Sequence, residues 1–407
     1  MKKYLFCCAS VLAFAPSAMS GPLMPSDYPH LIPTMADFFG PTMDDFLGRG
    51  KDWLSYPTLD VDGNFVFEND FSKPIGGRSS NTLSTDSELF NSLNLAPRLS
   101  FLTHLTYAVV NPDSAVQNTF FRGEGLFLEE GYLQYGNDLL TAQAGKFDSD
   151  FSVAPSLAPG LYGGSLASNY QLNELLGMRF AYQLGREIYG SHLLSASIFK
   201  VDDTILSESL FNNRGRTRLA TGGPANTTGL DSLTFAYTAS DVPLFGRPIL
   251  NYQLAYLNAA HGEDGSGREQ GTAASTWLTI PVEKSTISTI KGRYSSINPL
   301  VEYVHLENDG GMRGQNAGYL TAGVDLIRGD YDLAITGTWH RETISGSPAT
   351  NDYMWQVSIG KQLFGPNGSV VIGYEFSRIG GQPDNTVGIA LTFSPNILER
   401  FQIPRGF

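Results

Sequence analysis

The sequence is short of charge and of cysteine. Charged residues make up 16% of its 407 residues, below the roughly 25% of ordinary soluble domains. Its 2 cysteines, Cys7 and Cys8, are adjacent and lie at the N-terminus. Beyond residue 20 no stretch approaches the roughly 18 consecutive apolar residues that a membrane-spanning helix requires. These shortages exclude a disulfide-stabilised scaffold and a helical membrane protein.

Residues 1–20 have the features of a cleaved export signal. Lys2 and Lys3 precede an apolar centre that is too short to span a bilayer, and Ala18-Met19-Ser20 offers a small–x–small cleavage site. The alternative is an N-terminal helix of a cytosolic domain. Cleavage before Gly21 would remove both cysteines, so we expect no disulfide and no cysteine-ligated metal.

The charge that is present is mostly negative. Lys2 and Lys3 belong to the signal, so of 27 basic residues 25 remain against 40 acidic ones. This balance argues against nucleic acid and anionic lipid headgroups as partners. Aromatic residues reach 12%, and Gly occurs 44 times. A large soluble all-β protein and a transmembrane barrel both fit such a composition, and the signal of each strand in a barrel is weak.

Strict alternation of apolar and polar residues dominates the chain, as in a strand with two different faces. For example, Leu250, Tyr252 and Leu254 alternate with Asn251 and Gln253. The pattern predicts an all-β chain whose strand centres lie near residues 65, 94, 107, 131, 143, 178, 196, 234, 253, 277, 303, 322, 336, 357, 373 and 389. The run 87–111 is too long for one span, and we split it at 102–103.

The connections between these sixteen strands alternate in length. Odd-numbered connections are mostly long, at 72–86, 111–125, 149–167, 202–228, 259–272, 308–316 and 342–352. Even-numbered ones are mostly short, at 102–103, 136–138, 185–190, 239–247, 328–330 and 364–368, with 283–297 as a long exception. Short periplasmic turns and long extracellular loops are typical of outer-membrane barrels. The sequence therefore predicts a transmembrane antiparallel β-barrel of about sixteen strands, with both termini in the periplasm.

Aromatic residues and the two ends of the chain complete the predicted organisation. The apolar faces carry aromatic residues suited to an interfacial girdle, namely Tyr182, Tyr237, Trp339, Trp355 and Tyr374. A terminal Phe407 resembles the sorting signal of outer-membrane proteins, but Pro404 argues against a strand there, and we expect the last strand to end at Phe393. The predicted units are a signal peptide (1–20), an N-terminal periplasmic or packing segment (21–58), the barrel (59–393) and a C-terminal tail (394–407).

The N-terminal segment contains a tandem octapeptide. Residues 33–40 read Pro-Thr-Met-Ala-Asp-Phe-Phe-Gly, and residues 41–48 read Pro-Thr-Met-Asp-Asp-Phe-Leu-Gly. Proline at the start, acids in the first turn and glycine at the end suit a short helical turn. A periplasmic anchor or a packing segment is favoured over a binding site.

Two stretches resemble a known family. The segment 129–135, Glu-Glu-Gly-Tyr-Leu-Gln-Tyr, followed by 144–147, Ala-Gly-Lys-Phe, resembles a strand–turn–strand of sixteen-stranded porins of the phosphate-selective and carbohydrate-selective group. The stretch 199–218 is similar to loops of that group. The resemblance implies an outer-membrane channel and a homotrimer. The sequence lacks the dense run of arginine and lysine found in phosphate-selective channels, so anion selectivity is not implied.

Enzyme chemistry has little support. The 6 histidines are scattered without a metal-ligand spacing, and neither a nucleophile elbow nor a P-loop occurs. A barrel lipase or protease is the rival class, with His305 near Asp309 and His340 near Glu342 as candidate pairs. A structural or adhesive barrel is a third class. We expect no catalytic residue, cofactor or metal.

The expected function is size-limited diffusion of small hydrophilic solutes or ions through a water-filled lumen in the outer membrane. The alternation places charged side chains on the inner face: Asp60, Asp62, Glu68 and Asp70 on the first strand, Glu88 and Arg98 on the second, Arg179 on the sixth, Asp325 on the twelfth, His340 on the thirteenth and Glu375 on the fifteenth. Each would alternatively be an ordinary solvated group. The excess of carboxylates predicts a mild preference for cations.

The loop 202–228 is the expected constriction. It carries both signs of charge, at Asp202, Asp203, Arg214, Arg216 and Arg218. Inside the lumen, its cations would face an acidic wall and produce a transverse field. A solvated surface loop is the alternative.

Overall fold

The computed structural model describes residues 56–75, 77–111, 118–184, 189–244, 248–284, 294–363 and 365–403. The predicted export signal, the tandem octapeptide and Phe407 lie outside these residues. The described chain forms one antiparallel wall in which each strand pairs with the next along the sequence. The last strand of the wall pairs with the first, through Phe65–Ser72. The wall is therefore a closed sixteen-stranded barrel, as predicted.

The wall strands are β1 (Thr58–Ser72), β2 (Ser80–Ala96), β3 (Leu99–Val109), β4 (Glu124–Gly136), β5 (Leu140–Phe147), β6 (Leu175–Gln183), β7 (Ser191–Val201), β8 (Ser232–Pro243), β9 (Ile249–Ala259), β10 (Glu269–Lys284), β11 (Tyr294–Glu307), β12 (Gln315–Arg328), β13 (Tyr331–Ile344), β14 (Thr350–Gln362), β15 (Gly368–Ile379) and β16 (Gln382–Phe393). Every predicted strand centre lies within one of them. One short helix, α1 (Ala154–Leu157), lies between β5 and β6. None of the helices in the described ranges is long and apolar enough to cross a membrane.

The period of two in the sequence becomes the two faces of the wall. On β13, Ile335 and Trp339 are 48% and 60% exposed, whereas Thr336 and Thr338 between them are 1% and 2% exposed. Successive side chains of a strand point to opposite faces. The exposed set is apolar and faces outward, and the buried set is polar and faces the lumen. The aromatic residues predicted for a girdle are on the outer face, where Trp355 packs edge-on to Tyr374 with ring centroids 5.4 Å apart.

One predicted boundary is displaced. The turn between β2 and β3 is Pro97-Arg98, and residues 102–104 lie inside β3, where they pair with Phe90, Asn91 and Ser92. Proline has no backbone N–H and cannot donate to the ladder, so the run of alternation is interrupted at Pro97. Arg98 consequently lies in a turn and not on an inner strand position.

Part of the chain after Phe393 pairs with β1. Residues Asn396–Gln402 form β17, which pairs with the first residues of β1 between Thr58 and Asp62. The backbone N–H of Arg400 also donates to a carboxylate oxygen of Asp60 at 2.7 Å. Strand β17 thus pairs with the part of β1 that β16 does not reach. This pairing matters because unpaired backbone N–H and C=O groups are costly in a membrane wall.

A second edge is closed by the long connection 202–231. Strand β5 pairs with β4 only from Gly131 to Gly136, which leaves the first half of β4 without a neighbour on that side. Two residues of the connection, Ser209 and Leu210, pair antiparallel with Phe127 and Leu126 there. The connection is therefore part of the wall at its extracellular end.

The connection 148–174, which we name the inner loop, folds into the barrel. The largest cluster of buried apolar residues lies between this loop and the inner wall. Phe151 and Ala154 of the loop are fully buried there, together with small wall residues such as Ala255 and Ala273. A Cβ atom on Gly271 would lie 2.7 Å from the Phe151 ring. The barrel accommodates the loop because the wall beneath it is built of small side chains.

The outward assignment of β13 gives a test of the membrane-facing wall. Ile335 lies near the middle of the strand and pairs with the outward positions Val324 and Val357. Arginine at a lipid-facing position near the midplane destabilises a barrel by about 2–4 kcal/mol. We expect Ile335→Arg to lower the free energy of unfolding by about that amount, measured by guanidinium titration in lipid vesicles. Ile335→Leu, the control, should leave it almost unchanged; an equal loss in both variants would contradict the assignment.

Candidate functional site

The inner loop is anchored to the wall by Glu302 on β11. This side chain is fully buried. It accepts hydrogen bonds from the backbone N–H groups of Val153 at 2.7 Å and Ala154 at 3.1 Å, and from the Tyr170 hydroxyl at 2.7 Å. A fourth hydrogen bond comes from Ser275 Oγ on β10 at 2.6 Å. One carboxylate therefore fixes both the outgoing and the returning halves of the loop, and it satisfies N–H groups at the start of α1 that have no partner in the helix.

The tip of the loop reaches the far side of the barrel. Leu161 N–H donates to Ser358 Oγ on β14 at 2.9 Å, and Pro159 C=O accepts from Gln356 Nε2 at 2.8 Å. The Tyr162 hydroxyl donates to Asp70 on β1. A side chain at Gly388 would collide with that hydroxyl. The loop thus extends along the inner wall as far as β1.

The root of the loop is held by Arg179. This residue lies on β6, and its guanidinium binds the carboxylate of Asp150 in the loop. Gln253 on β9 donates to the backbone C=O of Asp150, and Ser149 Oγ lies 2.8 Å from Thr234 Oγ1 on β8. The charge of Arg179 is therefore compensated by the loop.

The anchoring contacts lie mostly on β6 and on strands from β8 to β14, whereas the contacts of the loop with the inner wall of β1–β4 include Asp70 and Glu130. That wall is acidic. Its inward carboxylates come from three strands: Asp60, Asp62, Glu68, Asp70, Asp86, Glu88, Glu129 and Glu130. The described inner positions of these four strands include no lysine or arginine. The two sides of the lumen are consequently unlike each other.

A β-bulge adds two of these carboxylates. The register between β3 and β4 shifts so that His104 pairs with Glu130 and Leu105 with Leu128, which leaves Glu129 as the extra residue. Both glutamates then point inward: Glu129 accepts from Thr106 Oγ1 at 2.6 Å, and Glu130 accepts from the backbone N–H of Asp148 at 3.1 Å. Bulges redirect side chains in this way. Regular alternation assigns only one of two adjacent residues to the lumen, so the sequence pattern missed this pair.

The middle of the inner loop carries no formal charge. Residues 151–173 of the inner loop include no aspartate, glutamate, lysine, arginine or histidine. The charged groups of the loop are confined to its ends. At one end, burial raises the pKa of the Asp148 carboxyl well above its usual range, and the carboxylates of Glu130 and Glu129 raise it further. Asp148 therefore contributes less negative charge near neutral pH than an exposed aspartate.

The expected constriction loop 202–228 does not supply the opposing cations. Arg214 binds Glu174 through two hydrogen bonds of 2.7 and 2.5 Å and lies 4.1 Å from the centroid of the Phe127 ring. Arg216 Nε donates to the Asp203 backbone C=O at 2.7 Å, and Asp202 pairs with Lys146 at 3.1 Å. Arg218 accepts from Asn226 through its C=O. These groups stabilise the loop that covers the edge of β4, and the segment inside the lumen is 148–174.

The remaining predicted lumenal residues lie on the inner face outside β1–β4, and only β16 separates β15 from β1. Asp325 is on β12 and Glu375 on β15. His340 on β13 is stacked on Tyr319, with ring centroids 4.3 Å apart, and its Nδ1 lies 3.2 Å from Asp352.

Comparison with known proteins agrees with this architecture. Neither a protein-family model nor a curated protein matches the sequence. Among solved structures, OprB of Pseudomonas putida superposes with a TM-score of 0.59 at 11% identity, over 83% of this chain and 94% of OprB. The outer-membrane channel DcaP of Acinetobacter baumannii gives a TM-score of 0.52 at 13% identity, over 83% of this chain and 98% of DcaP. The fold is that of the outer-membrane porins. Salmonella typhi OmpF, in complex with daunomycin, gives 0.52 at 10% identity, over 84% of this chain and 99% of OmpF.

Glu302 provides a test of how the inner loop is held. Glu302→Ala removes the acceptor for two backbone N–H groups and two hydroxyls, and buried donors without a partner cost about 1–3 kcal/mol each. We expect the loop to detach for part of the time, so that single-channel recordings show frequent conductance steps. Ser275→Ala removes only one donor to the same carboxylate and should keep a steady conductance. Steady traces from a folded Glu302→Ala protein would show that other contacts suffice.

Proposed function

We propose that this protein is an outer-membrane porin that gives passive, size-limited diffusion to small hydrophilic solutes or ions. The observation that carries the proposal is a closed wall of sixteen strands with an apolar outer face, a polar lumen and a loop folded inside. A barrel of this strand number encloses space for an aqueous channel. The export signal predicted at residues 1–20 and the likeness to DcaP, described as an outer-membrane channel, support the same location and function.

A homotrimer is part of the proposal and has support on the outer face of β2 and β3. Asn91 Nδ2 donates to Thr103 Oγ1 at 3.1 Å on the same side of the wall as the outward Phe101. Polar side chains are costly against hydrocarbon. Contact with a second copy of the chain would shield them.

The geometry of the histidines argues against a barrel hydrolase. His340 contacts Asp352 and not Glu342, and Glu342 instead accepts from Gln315 at 2.7 Å. His305 pairs with the outward-facing position Thr272, on the side of the wall away from the lumen. A catalytic set requires a nucleophile, a base and an orienting group in mutual contact. The pairs considered from the sequence do not build one.

The ion preference follows from the unequal sides of the lumen. Carboxylates on β1–β4 line the lumen together with an inner loop whose residues 151–173 carry no formal charge, and Arg179 is paired with Asp150. The field inside the passage is therefore set by one sign of charge, and the transverse field expected from an opposing cationic cluster is absent among the described residues. Rings of aspartate and glutamate favour cations.

Channel activity is tested with the purified full-length protein in planar bilayers. We expect stepwise, ohmic increases in conductance, because a barrel of sixteen strands encloses an aqueous channel. A companion sample that carries Ile335→Leu, a change on the outer face, should behave identically. Folded protein that inserts into vesicles but never conducts would favour the structural or adhesive alternative.

Selectivity is tested by the zero-current potential under a KCl gradient. We expect a sign that reports potassium preference, larger at low salt, because the Debye length grows from roughly 8 Å at 0.15 M to roughly 30 Å at 0.01 M. Glu68→Gln on the acidic wall should move the potential toward zero. Glu263→Gln, in an exposed extracellular loop, should leave it unchanged. Chloride preference in the unmodified protein would overturn the assignment.

A further inference from the structure

Three strands of the acidic wall bring one imidazole and two carboxylates together. His104 on β3 lies between Glu88 on β2 and Glu129 in the bulge of β4. Its Nε2 atom is 3.3 Å from Glu88 Oε1 and 3.8 Å from Glu129 Oε2. The three side chains are buried, with 2% exposure for Glu88 and 7% for each of the other two. The three ligand atoms all lie within 4.8 Å of one another.

The surroundings orient this cluster but leave one oxygen without a hydrogen bond. Asn64 Nδ2 donates to Glu88 Oε2 at 2.9 Å, and Thr106 Oγ1 donates to Glu129 Oε2 at 2.6 Å. The imidazole is stacked on Phe90, with ring centroids 4.2 Å apart. Glu88 Oε1 points into the cluster and is buried there without a hydrogen-bond partner. A buried, unpartnered carboxylate oxygen is costly unless a cation compensates it.

We propose that Glu88, His104 and Glu129 bind a divalent transition-metal ion of the zinc class. Zinc is bound by histidine nitrogen and carboxylate oxygen at about 2.0–2.2 Å, which places two ligands of a tetrahedral site about 3.4 Å apart. The separations of 3.3 and 3.8 Å from Nε2 match that edge with little movement. Three protein ligands leave a fourth tetrahedral position for water. The ion neutralises two buried carboxylates while His104 remains neutral.

Asn64 and Thr106 are positioning residues of this site. Each holds one carboxylate through a hydrogen bond and contacts no ion itself. Outer partners of this kind fix the direction of the ligand atoms, and their loss typically costs 10–100-fold in metal affinity. The ion would also join β2, β3 and β4 at the bulge, where the regular ladder is interrupted.

The site is tested by zinc retention in the full-length protein, with any affinity tag removed. The protein is stripped with chelator, incubated with zinc, passed through a desalting column and analysed by mass spectrometry for metal. We expect the unmodified protein to retain a stoichiometric amount of zinc and His104→Asn to lose it. The matched control is His340→Asn, because His340 is likewise a buried, ring-stacked histidine but contacts a single carboxylate. It should retain zinc as the unmodified protein does.

A second variant guards against misfolding. Asn64→Ala keeps all three ligands, and we expect it to bind zinc about 10–100-fold more weakly in a competition titration with a chromogenic chelator. Folding of each variant is checked by heat-dependent mobility on gels and by channel conductance, neither of which requires the metal. If the unmodified protein retains no zinc, or if His104→Asn retains as much as His340→Asn, the three residues form only a buried ion pair and the proposal is wrong.

Discussion

A single constraint governs this barrel: every backbone N–H and C=O within the hydrocarbon must find its partner inside the wall. Pairing of β16 with β1 closes the cylinder. Two irregular pieces of chain complete the closure, because β17 covers the start of β1 and Ser209–Leu210 covers the first half of β4. The long connection 202–231 is therefore committed to the wall, and its charged residues serve its own packing.

The inner loop then decides what the lumen can do. Its apolar half packs against small wall residues, and Glu302 ties both of its halves to β11. The loop is anchored around the barrel as far as Asp70, whereas the carboxylates of the lumen are concentrated on β1–β4. The apolar half of the inner loop thus packs against one part of the inner wall, and the negative charge of the lumen lies on β1–β4. The proposed cation preference follows from this division.

The bulge at Glu129 shapes both the wall and the proposed zinc site. An extra residue in β4 turns two adjacent carboxylates toward the lumen, and one of them meets His104 and Glu88. In a regular ladder, Glu129 would face lipid at a high energetic cost. The same irregularity therefore makes an otherwise unfavourable sequence compatible with the membrane and assembles three ligand atoms from three strands.

The sequence by itself determined the strands and their faces. A period of two is a local property, so alternation located all sixteen strand centres and placed Asp70, Arg179 and His340 on the inner face. Tertiary structure alone decided which loop enters the lumen, because that choice depends on contacts between distant residues, such as Val153 with Glu302. Tertiary structure also brought the cluster at His104 together. Its three residues are joined by cross-strand register and a bulge, so they have no regular spacing in the sequence. Local patterns record which way a side chain points, whereas its neighbours are set by how the whole wall closes.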